Sequence, residues 1–338
     1  MPIANSVVAF SLAPALASPT QRFNPRLATS SFTSPQLQRS PDRARSTQRR
    51  AVLVTIQMAV DLAVMVNGVP GNMAAATAEE VVRRGLVLAD EALTGPGVAN
   101  SHFEAGGSKV SLSTPEDHTA CLKRMKDKYP RLIVVDYTHP SAANPNVENY
   151  AKAGLSFVIG TTGGNVDDMK KAVDKSSDVY AVIAPNMGKQ IVAFQAMMDM
   201  MANEFPGAFK GYKITVKESH QATKADTSGT AKAVVNSFSR LGLDFDVEDI
   251  EKVREASRSM REMQVPEEYI TAGHAFHTYH LTSPDGSVNF EFQHNVCGRG
   301  VYAAGTVDAV QFLDKQKEKG DSTRLFNMID ILRIGGMS

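Results

Sequence analysis

From residue 61 onward, short apolar runs alternate with amphipathic stretches. AVMVNG (63–68), LVLADEAL (86–93), LIVVDYT (132–138), SFVIGTT (156–162) and YAVIAPN (180–186) are largely apolar and end in small or polar residues. Runs of this kind predict strands buried on both faces. The intervening residues 73–84, 115–128, 145–153 and 165–175 are long enough for crossover helices, so the pattern predicts α/β architecture with a Rossmann-like parallel sheet. Open sheets of this type bind ligands at the carboxyl ends of their strands. That edge gathers Gly68, then Asp136, Tyr137 and Thr138, then Gly160, Thr161 and Thr162, then Pro185, Asn186 and Met187.

After Asn186 the pattern changes. A methionine-rich stretch with Met197, Met198, Met200 and Met201 precedes strand-like YKITVKESH (212–220), HAFHTYHLTS (274–283) and VNFEFQHNV (288–296). This predicts a second α+β domain with a mixed sheet, in which the methionines act as flexible core filler. Residues 306–315 read as a helix, and the charged run KQKEKG after it as a solvated end. The expected division is residues 59–186 for a dinucleotide-binding domain, 187–302 for substrate binding and oligomerisation, and 303–338 for a C-terminal helix returning to the first domain.

The first fifty residues carry seven arginines, a single aspartate and abundant Ser, Thr and Pro, with the first positive charge only at Arg22. That composition predicts a disordered plastid transit peptide over residues 1–55, and so a chloroplast stroma location, rather than a secretory signal. The whole chain balances 36 basic against 36 acidic side chains, so 29 and 35 remain beyond residue 50. A mildly acidic mature chain argues against a nucleic-acid partner. No apolar run reaches the roughly 20 residues that span a bilayer, which argues against a membrane protein. Cys121 and Cys297 form no CxxC pair. His274, His277 and His280 recur every third residue, which in a strand places neighbours on opposite faces, so they read as packing and no metal site is expected.

Two motifs carry chemistry. Gly68-Val69-Pro70-Gly71-Asn72-Met73 follows the first strand and opens a helix, as a backbone approach to a pyrophosphate requires, although it lacks the full GxGxxG. Asp90 and Glu91, some twenty residues on, stand where an acid would hold a ribose hydroxyl, and no arginine follows to take a 2′-phosphate. The second motif is ESHQATKADTSGTAKA (218–233). Here His220 and Lys224 precede Ser228, Gly229 and Thr230, which begin a helix whose free N–H groups attract an anion such as a carboxylate.

GVPGNM, DYTHP, VIGTTG, APNMG, the ESHQATKADTSGTA cluster and FEFQHNVCGR occur in one order along residues 61–313. In this the chain resembles the 4-hydroxy-tetrahydrodipicolinate reductases, the plant form above all. The resemblance implies NADPH or NADH as cofactor, a small cyclic dicarboxylate as substrate, and a homo-oligomer, dimer or tetramer. It implies His220 as the catalytic acid, with Lys224 assisting protonation and holding one carboxylate. Ser228, Gly229 and Thr230 would hold the other carboxylate, Gln221 would touch the substrate, and Thr162 would lie between nicotinamide and substrate. The chain departs from the bacterial pattern at Gln221, where a second histidine is usual, and at Asn72 and Ala74, where a basic residue and a glycine are usual. Two other readings remain: a different two-domain nicotinamide dehydrogenase of amino-acid synthesis, which the His220-x3-Lys224 cluster disfavours, and a non-catalytic dinucleotide-binding regulator.

Overall fold

The computed structural model describes residues 61–98 and 101–335. The predicted transit peptide lies outside the described residues. In chain order the elements are β1 (Ala63–Asn67), α1 (Asn72–Arg83), β2 (Val87–Leu88), β3 (Glu91–Leu93), β4 (His102–Ala105), β5 (Ser108–Ser113), α2 (His118–Lys128), β6 (Leu132–Asp136), α3 (Pro140–Ala153), β7 (Ser156–Ile159), α4 (Val166–Asp174) and β8 (Ala181–Ile183). They continue with α5 (Lys189–Glu204), β9 (Lys213–His220), α6 (Gly229–Arg240), β10 (Glu251–Val253), α7 (Ala256–Met263), α8 (Glu267–Ala272), β11 (His274–Thr282), β12 (Asn289–Cys297), α9 (Gly300–Lys319), β13 (Leu325–Phe326) and α10 (Met328–Ile334). Among the described residues no helix is long and apolar enough to cross a membrane.

A six-stranded sheet in the order β13-β8-β7-β6-β1-β2 is parallel throughout. β1, β6 and β7 are buried at every position, because helices cover both faces. On one face Val64, Val66 and Val135 pack with Val81 of α1 and Val307, Val310 and Leu313 of α9. On the other, Met65, Val134 and Phe157 pack with Leu122, Tyr150 and Val173 of α2, α3 and α4. Asn67 pairs with Asp136, and Asp136 with Ile159, so three strands end level at one edge. That common edge sets up the site.

The second sheet, β10-β9-β11-β12, is mixed: β10 runs parallel to β9, whereas β11 is antiparallel to both β9 and β12. α5 and α6 close one face, with Met198, Ala202, Val234 and Phe238 against Ile214, Val216, Tyr279 and Leu281.

Four local expectations are corrected. Residues 86–93 are two short strands: β2 joins the large sheet, and β3 pairs with β5 in a separate sheet ordered β3-β5-β4. The split follows from pairings distant in sequence, since Leu93 N–H donates to the Asn67 side chain at 2.8 Å and Leu93 C=O accepts from Gly68 N–H at 2.9 Å. α3 starts at Pro140, with His139 capping it, and carries Pro145 inside, which forgoes the backbone bond to Ser141 O. α9 runs through the charged segment and ends at Gly320 in the left-handed region. Of the methionines read as core filler, Met198 is buried, but Met197 and Met200 are 52% and 61% exposed, because α5 buries only one side.

Candidate active site

The cofactor-side turn is dictated by close backbone contact. Gly68 has φ +100°, and a Cβ there would lie 2.4 Å from Tyr137 O, so only glycine lets the two strand ends meet. Gly71 caps α1, and Pro70, Gly71 and Asn72 are exposed. The Val69 side chain is turned into the core instead, so Val69 offers the site only its backbone. Met73 lines the cavity described below.

Asp136 ends β6, yet it does not reach the crevice. It is fully buried, and its Oδ1 accepts from Thr138 N–H at 2.9 Å, the Thr138 hydroxyl at 2.7 Å and the Thr161 hydroxyl at 2.9 Å. Its Oδ2 accepts from Asn146 Nδ2 at 3.0 Å and Tyr150 OH at 2.6 Å. The reading of the Asp136 side chain as a cofactor contact is thereby corrected. A buried carboxylate needs such donors, and here they tie the ends of β6 and β7 together. Tyr137 lines the cavity described below and is held there by its hydroxyl, which pairs with Thr306 Oγ1 at 2.5 Å; burial pushes its pKa up to about 12. A Cβ on Gly160 would lie 2.4 Å from the Tyr137 ring, so the glycine admits that ring beneath the strand end.

Asp90 and Glu91 are also placed elsewhere than expected. Asp90 binds Lys128 at 2.5 Å and Tyr129 OH at 2.9 Å, and Glu91 binds Arg124 at 2.6 Å. Leu93, not Asp90, stands level with Gly68, so the corner beside the turn is formed by Thr94, Gly95, Pro96 and Gly97. Thr94 fastens that corner by donating to Val69 O at 2.9 Å.

One cavity of about 940 Å³ is lined from both sheets. Gly160, Thr162, Pro185, Asn186 and Met187 come from the parallel-sheet edge; Lys224, Asp226, Ser228, Gly229 and Thr230 come from the segment after β9. Asn186 joins the two walls, donating to Thr230 Oγ1 at 3.3 Å while accepting from Gly188 N–H at 2.8 Å. The connection is anchored behind by Lys189, which pairs at 2.5 Å with the buried Asp308 of α9, itself paired with Arg84 at 2.5 Å.

Within the second wall the expected residues separate. Lys224 reaches the cavity and pairs with Asp226 at 2.9 Å. α6 begins at Gly229 with no side-chain cap, so its first turn presents backbone N–H groups to the cavity. Ser228 N–H is already used, donating to Glu218 Oε2 at 2.9 Å. Gln221 spends its amide on His274 O at 3.1 Å and does not line the cavity, against its reading as a substrate contact. His220 is also absent from the lining: it is 7% exposed, with Nε2 at 3.3 Å from His277 Nε2. Burial, then the positive charges of Arg254 and Lys224, lower its pKa to about 3, so the imidazole is neutral at physiological pH.

His277 was not legible as a site residue, because its place depends on the β9–β11 register, which sets it opposite Glu218. It is buried and stacked on His294 with ring centroids 4.5 Å apart, and burial holds its pKa well below the usual histidine range. Ligand atoms of Glu218, His220 and His277 lie within 4.8 Å of one another, a separation that could hold a metal ion. Glu218 already serves Arg254 through one oxygen and Ser228 N–H through the other. Of the three regularly spaced histidines, His280 is exposed and His274 bonds to Ser219 Oγ at 2.8 Å.

Family models described as "Dihydrodipicolinate reductase, N-terminus" and "Dihydrodipicolinate reductase, C-terminus" match residues 62–187 and 190–332. The Arabidopsis thaliana protein named "4-hydroxy-tetrahydrodipicolinate reductase 2, chloroplastic" is 48% identical over 276 residues, covering 82% of this chain and 78% of that protein. Its Arabidopsis counterpart named reductase 1 is 48% identical, covering 82% and 79%. A solved structure titled "Dipicolinate bound Dihydrodipicolinate reductase from Paenisporosarcina sp. TG-14" shares the fold, with a TM-score of 0.55 and 15% identity over 79% of this chain and 97% of that one.

Proposed function

The chain belongs to the 4-hydroxy-tetrahydrodipicolinate reductase family, and on that premise we propose a division of labour within its cavity. The enzyme uses a nicotinamide dinucleotide to reduce 4-hydroxy-tetrahydrodipicolinate to tetrahydrodipicolinate, the lysine-pathway reaction, in the chloroplast. Water leaves across C4 and C5 of the ring, hydride adds at C4, and the resulting enamine takes a proton at C5, so a C–OH bond is replaced by C–H. The observation that carries the assignment of residues is the single cavity that brings Gly160, Thr162 and Asn186 against Lys224, Gly229 and Thr230. Gly68 to Met73 would approach the pyrophosphate, Thr162 would lie between nicotinamide and ring, the Lys224 ammonium would hold one carboxylate, and the Gly229 and Thr230 N–H groups would hold the other.

Proton delivery falls to the Lys224 and His220 pair, with Lys224 at the wall and His220 behind it. Burial first, then the charges of Arg254 and Lys224, keeps His220 neutral; two substrate carboxylates oppose those charges, so its proton affinity rises when substrate enters. The corner at Thr94 to Gly97 carries neither a carboxylate to repel a 2′-phosphate nor a cation to hold it. That supports use of both NADPH and NADH with less than about tenfold discrimination, or 1.4 kcal/mol. Residues 59–186 and 187–302 then act as dinucleotide and substrate domains, with 303–338 completing the first. Self-association along the open β12 edge, where Phe290 is 40% exposed, belongs to the same proposal.

The test couples the purified chain to the preceding synthase with aspartate semialdehyde and pyruvate, and follows oxidation of either cofactor. Lys224→Ala should lower kcat/KM for the substrate by about 30-fold or more, the value of one charge-assisted hydrogen bond of about 2 kcal/mol, while dinucleotide affinity holds. Oxidation of neither cofactor contradicts the function, and loss of dinucleotide affinity in Lys224→Ala contradicts the role.

A further inference from the structure

Arg254 follows β10 and lies outside the cavity lining, yet its guanidinium serves the segment that carries the substrate-facing groups. Nε donates to Lys224 O at 2.7 Å, and Nη1 to Glu218 O at 3.3 Å and Val253 O at 3.2 Å. Nη2 donates to Asp226 O at 3.2 Å and forms an ion pair with Glu218 Oε1. The other Glu218 oxygen accepts from Ser228 N–H at 2.9 Å. The Arg254 side chain is 17% exposed and that of Glu218 fully buried. One guanidinium and one carboxylate thus fasten residues 218, 224, 226 and 228, from the end of β9 to the start of α6. Residues 221–228 lie outside regular helix and strand, with one turn bond from Lys224 N–H to Gln221 O at 2.9 Å.

We infer that Arg254 is a positioning residue: with Glu218 it forms a clamp that sets Lys224 and the first turn of α6 at the spacing needed to grip both carboxylates of one substrate. The inference rests on the proposed roles of Lys224, Gly229 and Thr230. Its chemistry follows from the planar fork, whose donors point to the backbone carbonyls of residues 218, 224 and 226 at once. A lysine ammonium keeps the charge but gathers its donors on one nitrogen, so it cannot span those carbonyls. Arg254 also faces His220, His274 and His277, whose proton affinity its charge lowers along with burial. Geometry and charge are therefore separable by choice of substitution.

The experiment compares wild type, Arg254→Lys, the doubly neutral Arg254→Met/Glu218→Gln, and Lys224→Ala in the coupled assay. Dinucleotide affinity, thermal melts and pH profiles are measured alongside. Arg254→Lys should raise KM for the substrate about tenfold or more, keep dinucleotide affinity within twofold and keep the wild-type pH profile. The double variant, which leaves no buried charge unpaired, should show the same KM defect. An Arg254→Lys enzyme with substrate KM within twofold of wild type overturns the clamp, as does an equal loss of dinucleotide affinity. If Lys224→Ala itself retains wild-type kinetics, the reading of the cavity fails; a defective Lys224→Ala beside an unaffected Arg254→Lys refutes the clamp alone.

Discussion

Asp136→Asn changes one buried atom from acceptor to donor at the strand edge on which the cavity depends. The replacement keeps an oxygen for Thr138 N–H and the Thr138 and Thr161 hydroxyls, but turns an NH2 toward Asn146 Nδ2, now at 3.0 Å, and Tyr150 OH, now at 2.6 Å. Neither neighbour adapts freely. Tyr150 OH already accepts from Asn67 Nδ2 at 2.9 Å, and flipping Asn146 would break its bond to Thr138 Oγ1 at 3.1 Å. Two charge-assisted bonds at about 1.5–3 kcal/mol each give a loss of roughly 3–6 kcal/mol. At about 2–4 °C per kcal/mol for a domain of this size, the melting temperature should fall by about 10 °C. The assay is a thermal melt together with urea denaturation, and dinucleotide affinity should weaken as the Thr138 and Thr161 ends loosen. A fall below about 2 °C refutes the claim that this carboxylate holds β6 and β7 together.

Three further outcomes follow from individual groups. Gly305→Ala would place a Cβ 1.8 Å from Met187 O, at the connection between the sheets, so soluble yield and melting temperature should drop sharply, whereas Gly300→Ala, which meets nothing within 4 Å, should be neutral. His220, His277 and His294 have folded pKa values below the unfolded 6.5, at about 3, well below it, and about 4 respectively. Stability from keeping them neutral is complete above pH 6.5 and lost as pH falls toward 3–4, at about 1 kcal/mol per pH unit for each. His277→Gln should flatten the urea-derived slope between pH 6 and 5 by one histidine's share, and an unchanged slope counts against the buried neutral cluster. Burial pushes the Cys121 thiol up to about 12 while Cys297 is exposed, so iodoacetamide should label Cys297 in the native protein and leave Cys121 until unfolding; equal labelling contradicts this.

The parallel sheet and its carboxyl edge were legible because periodicity and strand-end residues are local signals: Gly68, Thr162 and Asn186 fall where apolar runs stop. That Lys224, Gly229 and Thr230 line one wall was legible for the same reason, since they lie within one short segment. The remainder depends on partners distant in sequence. Asp136 looked like a cofactor contact because nothing local reveals Asn146 and Tyr150 closing over it. Residues 86–93 looked like one strand because the bend is imposed by Asn67 and Gly68. His277 and Arg254 gave no signal, since one owes its place to β-sheet register and the other to a guanidinium spanning 36 residues back to Glu218.

The central claim is that one cavity delivers hydride from a nicotinamide to C4 of the cyclic dicarboxylate gripped by Lys224 and the start of α6. Its most direct test is turnover with dinucleotide deuterated at the transferable nicotinamide position, followed by mass spectrometry and NMR of the product. The account predicts one deuteron per ring, at C4, from NADPH and NADH alike, with little product from Lys224→Ala at limiting substrate. Product without deuterium, or deuterium at another carbon, contradicts it.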